Sequence, residues 1–378
     1  MNERLPRRLG VIGIGRIGLC YALLLERAGF EVIGCDVDRA KVRAVAGREF
    51  ETQEPGVTEV LRGARNLEAT TDLSMAVAQA EVLFVFVRTS SDADGRYDVS
   101  QVDAVVESLA ALEPSAQRKD LVICANVNVG YSDEVATRLE PYNFRVSYVP
   151  ELIALGTILR NQTRPDLVLL GQADAAAGDR ILEVLRRVIE NDPPIHRLTR
   201  AATELAKISL NCFLTLKIAS ANQVGDVARR LGVDPDAVLG AVGTDPRIGS
   251  AFLGYGFGYG GPCLPRDNRA FAHLATTVGC EALLNGAADE ANRRHLEFLV
   301  EEEMKNRSDA EPLVIESVTY KPGTTSLEES QQLAYAVALA ERGVPVVIRE
   351  SEAVIEKLRG LYGDLFAYEA RPFRPIAS

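Results

Sequence analysis

Between Met1 and Arg197 the chain alternates short apolar runs with stretches whose apolar residues recur at helical spacing. The apolar runs are Leu9–Ile14, Glu31–Asp36, Glu81–Val87, Leu121–Val127, Phe144–Val149 and Asp166–Leu170. Runs apolar throughout, rather than at every second position, predict strands buried on both faces, hence a parallel sheet with helices on each side. A helix is predicted from Arg16 to Ala28, stopped by Gly29. Residues 1–197 therefore read as one doubly wound α/β domain.

The pattern then changes. From Ala201 to Leu231 there is no proline and one glycine, Gly225, and Leu205, Ile208, Cys212, Leu216 and Ala219 recur at helical spacing. This predicts one long helix, ended by Gly232, in a central helical domain over 198–308. A glycine-rich stretch follows at Gly249–Pro262, then helical patterning to Lys305 and a polar linker at Asn306–Glu311. A last segment, 309–378, reads as a strand at Pro312–Thr319, a turn at Lys321–Thr325, a helix at Glu328–Arg342, a strand at Val344–Ile348 and a helix at Ala353–Leu361. An α/β unit this small must lean on the rest of the chain for its core.

Composition narrows the partners. The chain has 378 residues, 47% hydrophobic and 25% charged, with a net charge of −11. The negative charge argues against nucleic acid or an anionic membrane, since both demand a basic face. No apolar run reaches the roughly 20 residues that span a bilayer, and the charged start, Met1 to Arg8, does not resemble a signal peptide. None of the six cysteines pairs at CxxC spacing and the three histidines lie apart, so no metal site or disulfide framework is expected. A reducing cytoplasm fits. Five cysteines then read as small buried hydrophobes. The exception is Cys263.

Gly13-Ile14-Gly15-Arg16-Ile17-Gly18 lies between a predicted strand and helix. In this spacing the first glycine permits a tight turn, the second lets a pyrophosphate approach, and the third packs helix on strand. The helix N-terminus offers N–H groups to phosphates. Asp36 ends the next strand, where a carboxylate accepts from a ribose 2′-OH. The combination predicts a Rossmann domain holding NAD rather than NADP, although Arg39 and Lys41 stand near Asp36.

Cys263 closes a loop with glycines at 254, 256, 258, 260 and 261 and aromatic residues Tyr255, Phe257 and Tyr259. The glycines let backbone wrap closely around a ligand, and the rings offer flat surfaces to a ring or sugar. A thiol at a helix N-terminus is activated as thiolate; Arg266 adds positive charge, and Asp267 stands one turn further on. On the long helix Glu204, Lys207 and Asn211 share a face. By pattern alone they read most simply as a solvated stripe; the functional alternative is stabilisation of an alkoxide or oxyanion by Lys207 and Asn211.

Taken in order, these motifs resemble the UDP-glucose/GDP-mannose dehydrogenase family over nearly the whole chain. The resemblance rests on the glycine loop with Asp36, Pro150-Glu151-Leu152, Glu204-Leu205-Ala206-Lys207 with Asn211, Asp245-Pro246-Arg247-Ile248-Gly249 with the Cys263 loop, and Tyr320-Lys321-Pro322-Gly323-Thr324. It implies oxidation of a primary alcohol to a carboxylate with two NAD, through a thiohemiacetal and a thioester on Cys263. It casts Lys207 and Asn211 as oxyanion stabilisers, Glu151 and Asp267 as handlers of protons and water, Leu152, Tyr255, Phe257, Gly260 and Lys321 as substrate contacts, and Arg247 as reaching a neighbouring subunit's site. Thr89 joins the expected cofactor set. A homodimer through the long helix, 201–231, is also implied.

Departures accompany the matches. Asn126 stands where the family has a threonine, Val149 replaces an asparagine, Leu155 replaces a second acid, Thr325 and Ser326 replace two aspartates, and Glu328 replaces an arginine. Cofactor and thiol chemistry are thus retained, while charge reversal at Glu328 weakens recognition of an anionic nucleotide. The expected substrate is a nucleotide sugar, an atypical relative of one, or a smaller alcohol. A two-electron dehydrogenase of the 3-hydroxyacid type, or a non-catalytic binder of NAD or nucleotide sugar, are the competing readings.

Overall fold

The computed structural model describes residues 6–92, 94–307 and 311–373. The chain divides into two compact units that meet in sequence between Lys207 and Ile208. Residues 308–310, inside the expected linker, the first five residues of the charged start, and 374–378 lie outside the described residues.

The first unit contains strands β1 (Arg8–Ile12), β2 (Glu31–Cys35), β3 (Leu67–Thr70), β4 (Val82–Val85), β5 (Ser90–Ser91), β6 (Tyr97–Asp98), β7 (Lys119–Ile123), β8 (Phe144–Tyr148), β9 (Val168–Gly171) and β10 (Ile195–Leu198). Eight of them form one sheet in the order β10-β9-β8-β7-β4-β1-β2-β3, and β5 and β6 form a separate short ladder. From β3 to β8 every pair is parallel. Alternate residues serve opposite faces. Val82, Phe84 and Val122 pack with the helix Arg16–Arg27, while Leu83, Val85, Leu121 and Ile123 pack with Val102, Val106 and Val135 on the other side. Two buried faces explain why these strands read as continuous apolar runs.

The differences have local causes. β1 stops at Ile12 rather than Ile14 because Gly13, at φ +89°, turns the chain out of the sheet. The pattern missed β3 and β10, which lie at the two edges and are only partly buried, so their sequences, Leu-Glu-Ala-Thr and Ile-His-Arg-Leu, carry polar residues. The sheet is also not parallel throughout: β8 and β9 meet antiparallel, through Tyr148 and Gly171.

The long helix runs over Arg200–Arg230. The second unit continues with helices Pro235–Gly243, Leu264–Thr277 and Leu283–Asn306. It ends in a parallel three-stranded sheet, β11 (Leu313–Ile315), β12 (Val346–Glu350) and β13 (Ala367–Ala370), in that order, with helices Gln331–Glu341 and Glu352–Tyr362. Val300 of the preceding helix shares the core of this sheet with Val318, Leu339 and Ile348, which supplies the support so small a unit needs. The strand expected over Pro312–Thr319 is confined to Leu313–Ile315. The helix expected from Glu328 begins at Gln331, where Ser330 caps it by accepting the Leu333 N–H at 3.2 Å. No helix among the described residues is long and apolar enough to cross a membrane.

Candidate active site

In the first unit, the glycine loop sits where β1 and β4 diverge, the point at which the strand order reverses and doubly wound sheets bind ligands. The Gly13 N–H donates to the Cys35 carbonyl at 2.7 Å. A Cβ on Gly13 would lie 2.7 Å from the Phe86 carbonyl oxygen, and one on Gly18 would lie 2.0 Å from the Gly13 oxygen. Both positions therefore exclude a side chain. A Cβ on Gly15 would meet nothing, so this face of the loop is open, and no side chain caps the first turn of the helix that follows. Arg16 is exposed and Ile17 half-buried, whereas the Ile14 side chain is fully buried against Gly34, leaving only its backbone to face a ligand. Thr89 is buried just before β5. Asp36 lies immediately past β2. It accepts from the Asp38 N–H at 3.0 Å and from Lys41 Nζ at 2.9 Å. Open glycine backbone, uncapped helix N–H groups and a carboxylate at the adjacent strand end form a donor and acceptor set that fits NAD.

A second cluster of the first unit surrounds Glu151, just beyond β8. Glu151 is half-buried and accepts from Gln162 Nε2 at 3.0 Å. Burial pushes its carboxyl up to about 7, against the opposing effects of the Gln162 hydrogen bond and the Lys207 charge. The loop carrying Glu151 and the half-buried Leu152 is fixed by Glu54, a buried carboxylate that accepts the Gly156 N–H at 2.9 Å and the Ile158 N–H at 2.7 Å. Asn161 Oδ1 accepts the Ala154 N–H at 3.0 Å. Asn126 is half-buried beyond the end of β7. The solvated-stripe reading of the long helix is corrected here. Glu204 and Lys207 are both buried, and Glu204 accepts the Gly130 and Ser132 N–H groups at 2.6 and 2.9 Å, holding the start of the helix Tyr131–Leu139.

In the second unit, Cys263 is the N-cap residue of the helix Leu264–Thr277 and is exposed. The Asp267 N–H closes the first turn on the Cys263 carbonyl at 2.8 Å. Asp267 is fully buried. Its carboxylate accepts from Asn211 Nδ2 at 2.6 Å and from Arg266 Nε at 3.0 Å, so Arg266 serves Asp267. The chain thus brings Cys263, Asp267 and Asn211 together on two packed helices.

The glycine-rich loop corrects one expectation in part. Gly254 and Gly256 face open space, but a Cβ on Gly258 would lie 2.1 Å from Asn292 Oδ1, one on Gly260 2.2 Å from the Glu329 carbonyl oxygen, and one on Gly261 2.4 Å from the Tyr320 ring. These three glycines admit other parts of the protein on that side. Tyr259 is not a flat surface for a ligand: it is buried, with its hydroxyl on Asp289. Tyr255 donates to Asp226 at 2.9 Å, and Phe257 packs edge-on against Tyr335. Sequence reasoning missed what grips this loop, a polar face on the helix Leu283–Asn306. Asn285 bonds Asn268, Asp289 accepts from Asn268 and Tyr259, Asn292 bonds the Tyr259 backbone, and His295 bridges Asp226 and the Gly256 carbonyl. The signal was four polar residues at spacings of four, three and three.

The remaining expected contacts are placed as follows. The Lys321 carbonyl accepts from the Thr319 and Thr324 hydroxyls, which set its turn. Glu328 is exposed, and its carbonyl accepts the Gly261 N–H at 3.1 Å. Arg247 is exposed and pairs with Asp245 through two guanidinium nitrogens. The six cysteines form no disulfide. Cys20, Cys35, Cys124 and Cys212 are buried, but Cys280 is exposed, which corrects its reading as a buried hydrophobe; it follows the end of the helix that Cys263 begins.

Comparison with known proteins agrees with this geometry. Residues 7–189 match the NAD binding domain of the UDP-glucose/GDP-mannose dehydrogenase family, and residues 201–294 match the family's central domain. UDP-glucose 6-dehydrogenase of Pseudomonas aeruginosa is 32% identical over 356 residues, covering 90% of this chain and 78% of that protein. The chain belongs to the UDP-glucose/GDP-mannose dehydrogenase family. Within it, the solved UDP-glucose dehydrogenase of Pyrobaculum islandicum superposes with a TM-score of 0.87 at 30% identity, covering 97% of this chain and 86% of that one. A GDP-mannose dehydrogenase structure from Pseudomonas aeruginosa gives a TM-score of 0.61 at 26% identity over 96% of this chain and 88% of that one.

Proposed function

We propose that this family member oxidises a primary alcohol of a nucleotide sugar, or of an atypical relative of one, to the carboxylate. The observation that carries this reading is the exposed Cys263 thiol at a helix N-terminus, one turn from the buried Asp267 that Asn211 holds. NAD, held by the Gly13–Gly18 loop, Asp36 and Thr89, supplies the hydride acceptor for each of two oxidations. The alcohol loses a proton and a hydride to become an aldehyde. The Cys263 thiolate adds to the aldehyde carbon, giving a thiohemiacetal. Loss of a second hydride leaves a thioester. Water attacks it, the C–S bond breaks, and carboxylate and thiolate are released. Each alcohol thus consumes two NAD and one water.

Lys207 and Asn211 donate to the oxygen that becomes negative in these steps. Glu151, poised by burial at about 7, takes the proton, and Asp267 and Asn126 orient the water. Leu152, Tyr255, Phe257, Gly260, Lys321 and Arg247 contact the substrate. Glu328 gives the outer part of the site a negative charge, which favours a substrate whose anionic group lies elsewhere. A homodimer is supported by Phe213, Val224, Val227 and Leu231, exposed at helical spacing along and just past the long helix. The absence of disulfides is in keeping with a cytoplasmic location. Intact-mass analysis during turnover tests the reading. An acyl adduct on Cys263 is expected, and turnover without any adduct in rapid-quench samples, together with an active Cys263→Ala protein, would contradict it.

A further inference from the structure

We propose that Gln162 is a positioning residue that holds the Glu151 carboxylate as the proton acceptor of the reaction. This rests on the reading of Glu151 as that acceptor. Gln162 lies in the short helix Ile158–Thr163 and is more than nine-tenths buried. Its Nε2 donates to Glu151 Oε2 at 3.0 Å. Its Oε1, also buried, has no hydrogen-bond partner among the described residues.

Maintaining the loop does not account for this amide. The backbone between Glu151 and Ile158 is already held by Glu54 and Asn161, which take the Gly156, Ile158 and Ala154 N–H groups. Position 155, where a second acid would stand, is Leu155, packed against the core of the first unit. The group that meets Glu151 is therefore an amide, which donates without competing for a proton. A donor to the carboxylate favours its ionised form and fixes which oxygen faces away. The buried Oε1 adds an acceptor beside it, suited to an O–H of water or of the substrate.

Four further titratable groups interact with the Glu151 charge. Lys207 on the long helix lowers its pKa. The Cys20 thiol and Tyr21 phenol of the helix Arg16–Arg27, and the Cys124 thiol beyond β7, are held neutral chiefly by burial and are raised further by the Glu151 charge. Gln162 meets the same carboxylate through a direct hydrogen bond, with its Nε2 as the donor.

The test is the pH dependence of kcat/KM for the full-length protein with NAD and its alcohol, with thermal unfolding as the control for folding. Gln162→Met keeps the volume and removes both polar atoms. Its acid limb should move to higher pH by about one unit, a tenfold loss below the limb, with KM for NAD unchanged. Gln162→Glu, which places a second carboxylate beside Glu151, should move it further. Glu151→Gln should abolish the limb. Folded Gln162→Met and Gln162→Glu proteins whose limb stays at the wild-type pH, while Glu151→Gln abolishes it, would overturn the role of Gln162 alone. A limb that survives Glu151→Gln would overturn the reading of Glu151 as acceptor, and the role of Gln162 with it.

Discussion

Asn211, on the long helix, donates its side-chain amide to the fully buried carboxylate of Asp267, 2.6 Å away and one turn beyond Cys263. The bond joins the residue expected to stabilise oxyanions to the helix that begins at Cys263, the proposed nucleophile. Replacing Asn211 by Ala removes one donor from the buried carboxylate and leaves it the Arg266 guanidinium. The expected cost is about 1–3 kcal/mol of stability, read by denaturant unfolding. Because Asn211 is also read as an oxyanion donor, kcat should fall by roughly 100-fold. A variant of unchanged stability and kcat would separate this bond from both roles.

Cys263→Ala should lose carboxylate formation while binding NAD as the wild type does, since the glycine loop and Asp36 belong to a different part of the chain. Titration with NAD and an end-point assay for carboxylate check the two halves of this statement separately.

Asp36 is bridged to Lys41, so its preference for a ribose hydroxyl is tempered by a neighbouring cation. Lys41→Ala should strengthen discrimination against NADP. Asp36→Ala should weaken NAD binding by about tenfold or more, as loss of a hydrogen bond to a charged group predicts. Dissociation constants for both dinucleotides give the comparison; unchanged NAD affinity in Asp36→Ala would remove Asp36 from the cofactor site.

Glu151 predicts a pH signature in stability as well as in rate. Its pKa is raised from 4.5 to about 7 in the folded protein. Between those values the folded state keeps a proton that the unfolded chain releases, so stability falls as pH rises from 4.5 to 7 and levels off above it. Glu151→Gln lacks this term. Its Tm relative to wild type should therefore increase between pH 5 and pH 8, and a constant difference would contradict the raised pKa.

Within the glycine loop, substitution should divide by position. Gly260→Ala forces a Cβ against the Glu329 backbone oxygen and Gly261→Ala, at φ +81°, against the Tyr320 ring, whereas Gly254→Ala meets nothing. The first two should destabilise by about 2 kcal/mol or more. Gly254→Ala should fold normally, as unfolding midpoints will show.

The central strands were legible because each is buried on both faces, and the long helix because its apolar residues recur at helical spacing with no proline to interrupt them. β3, β10 and β13 were not, because edge strands keep polar residues and carry no clear period. Among the candidate functional residues, Gly13–Gly18 and Cys263 stood out through spacing with a chemical reason behind it. Glu54, Gln162 and the Asn285–His295 face did not, because a buried polar residue that holds a distant loop shows its purpose only once its partner is in place. The same limit explains the mistaken solvated reading of Glu204: its partners are the backbone N–H groups of Gly130 and Ser132.

The central claim, that Cys263 carries a four-electron oxidation, is tested most directly by counting NADH formed per alcohol consumed at completion. Two NADH, with carboxylate as the product, is the predicted result. One NADH, with the aldehyde or ketone as the final product, would contradict it and assign the chain a two-electron oxidation.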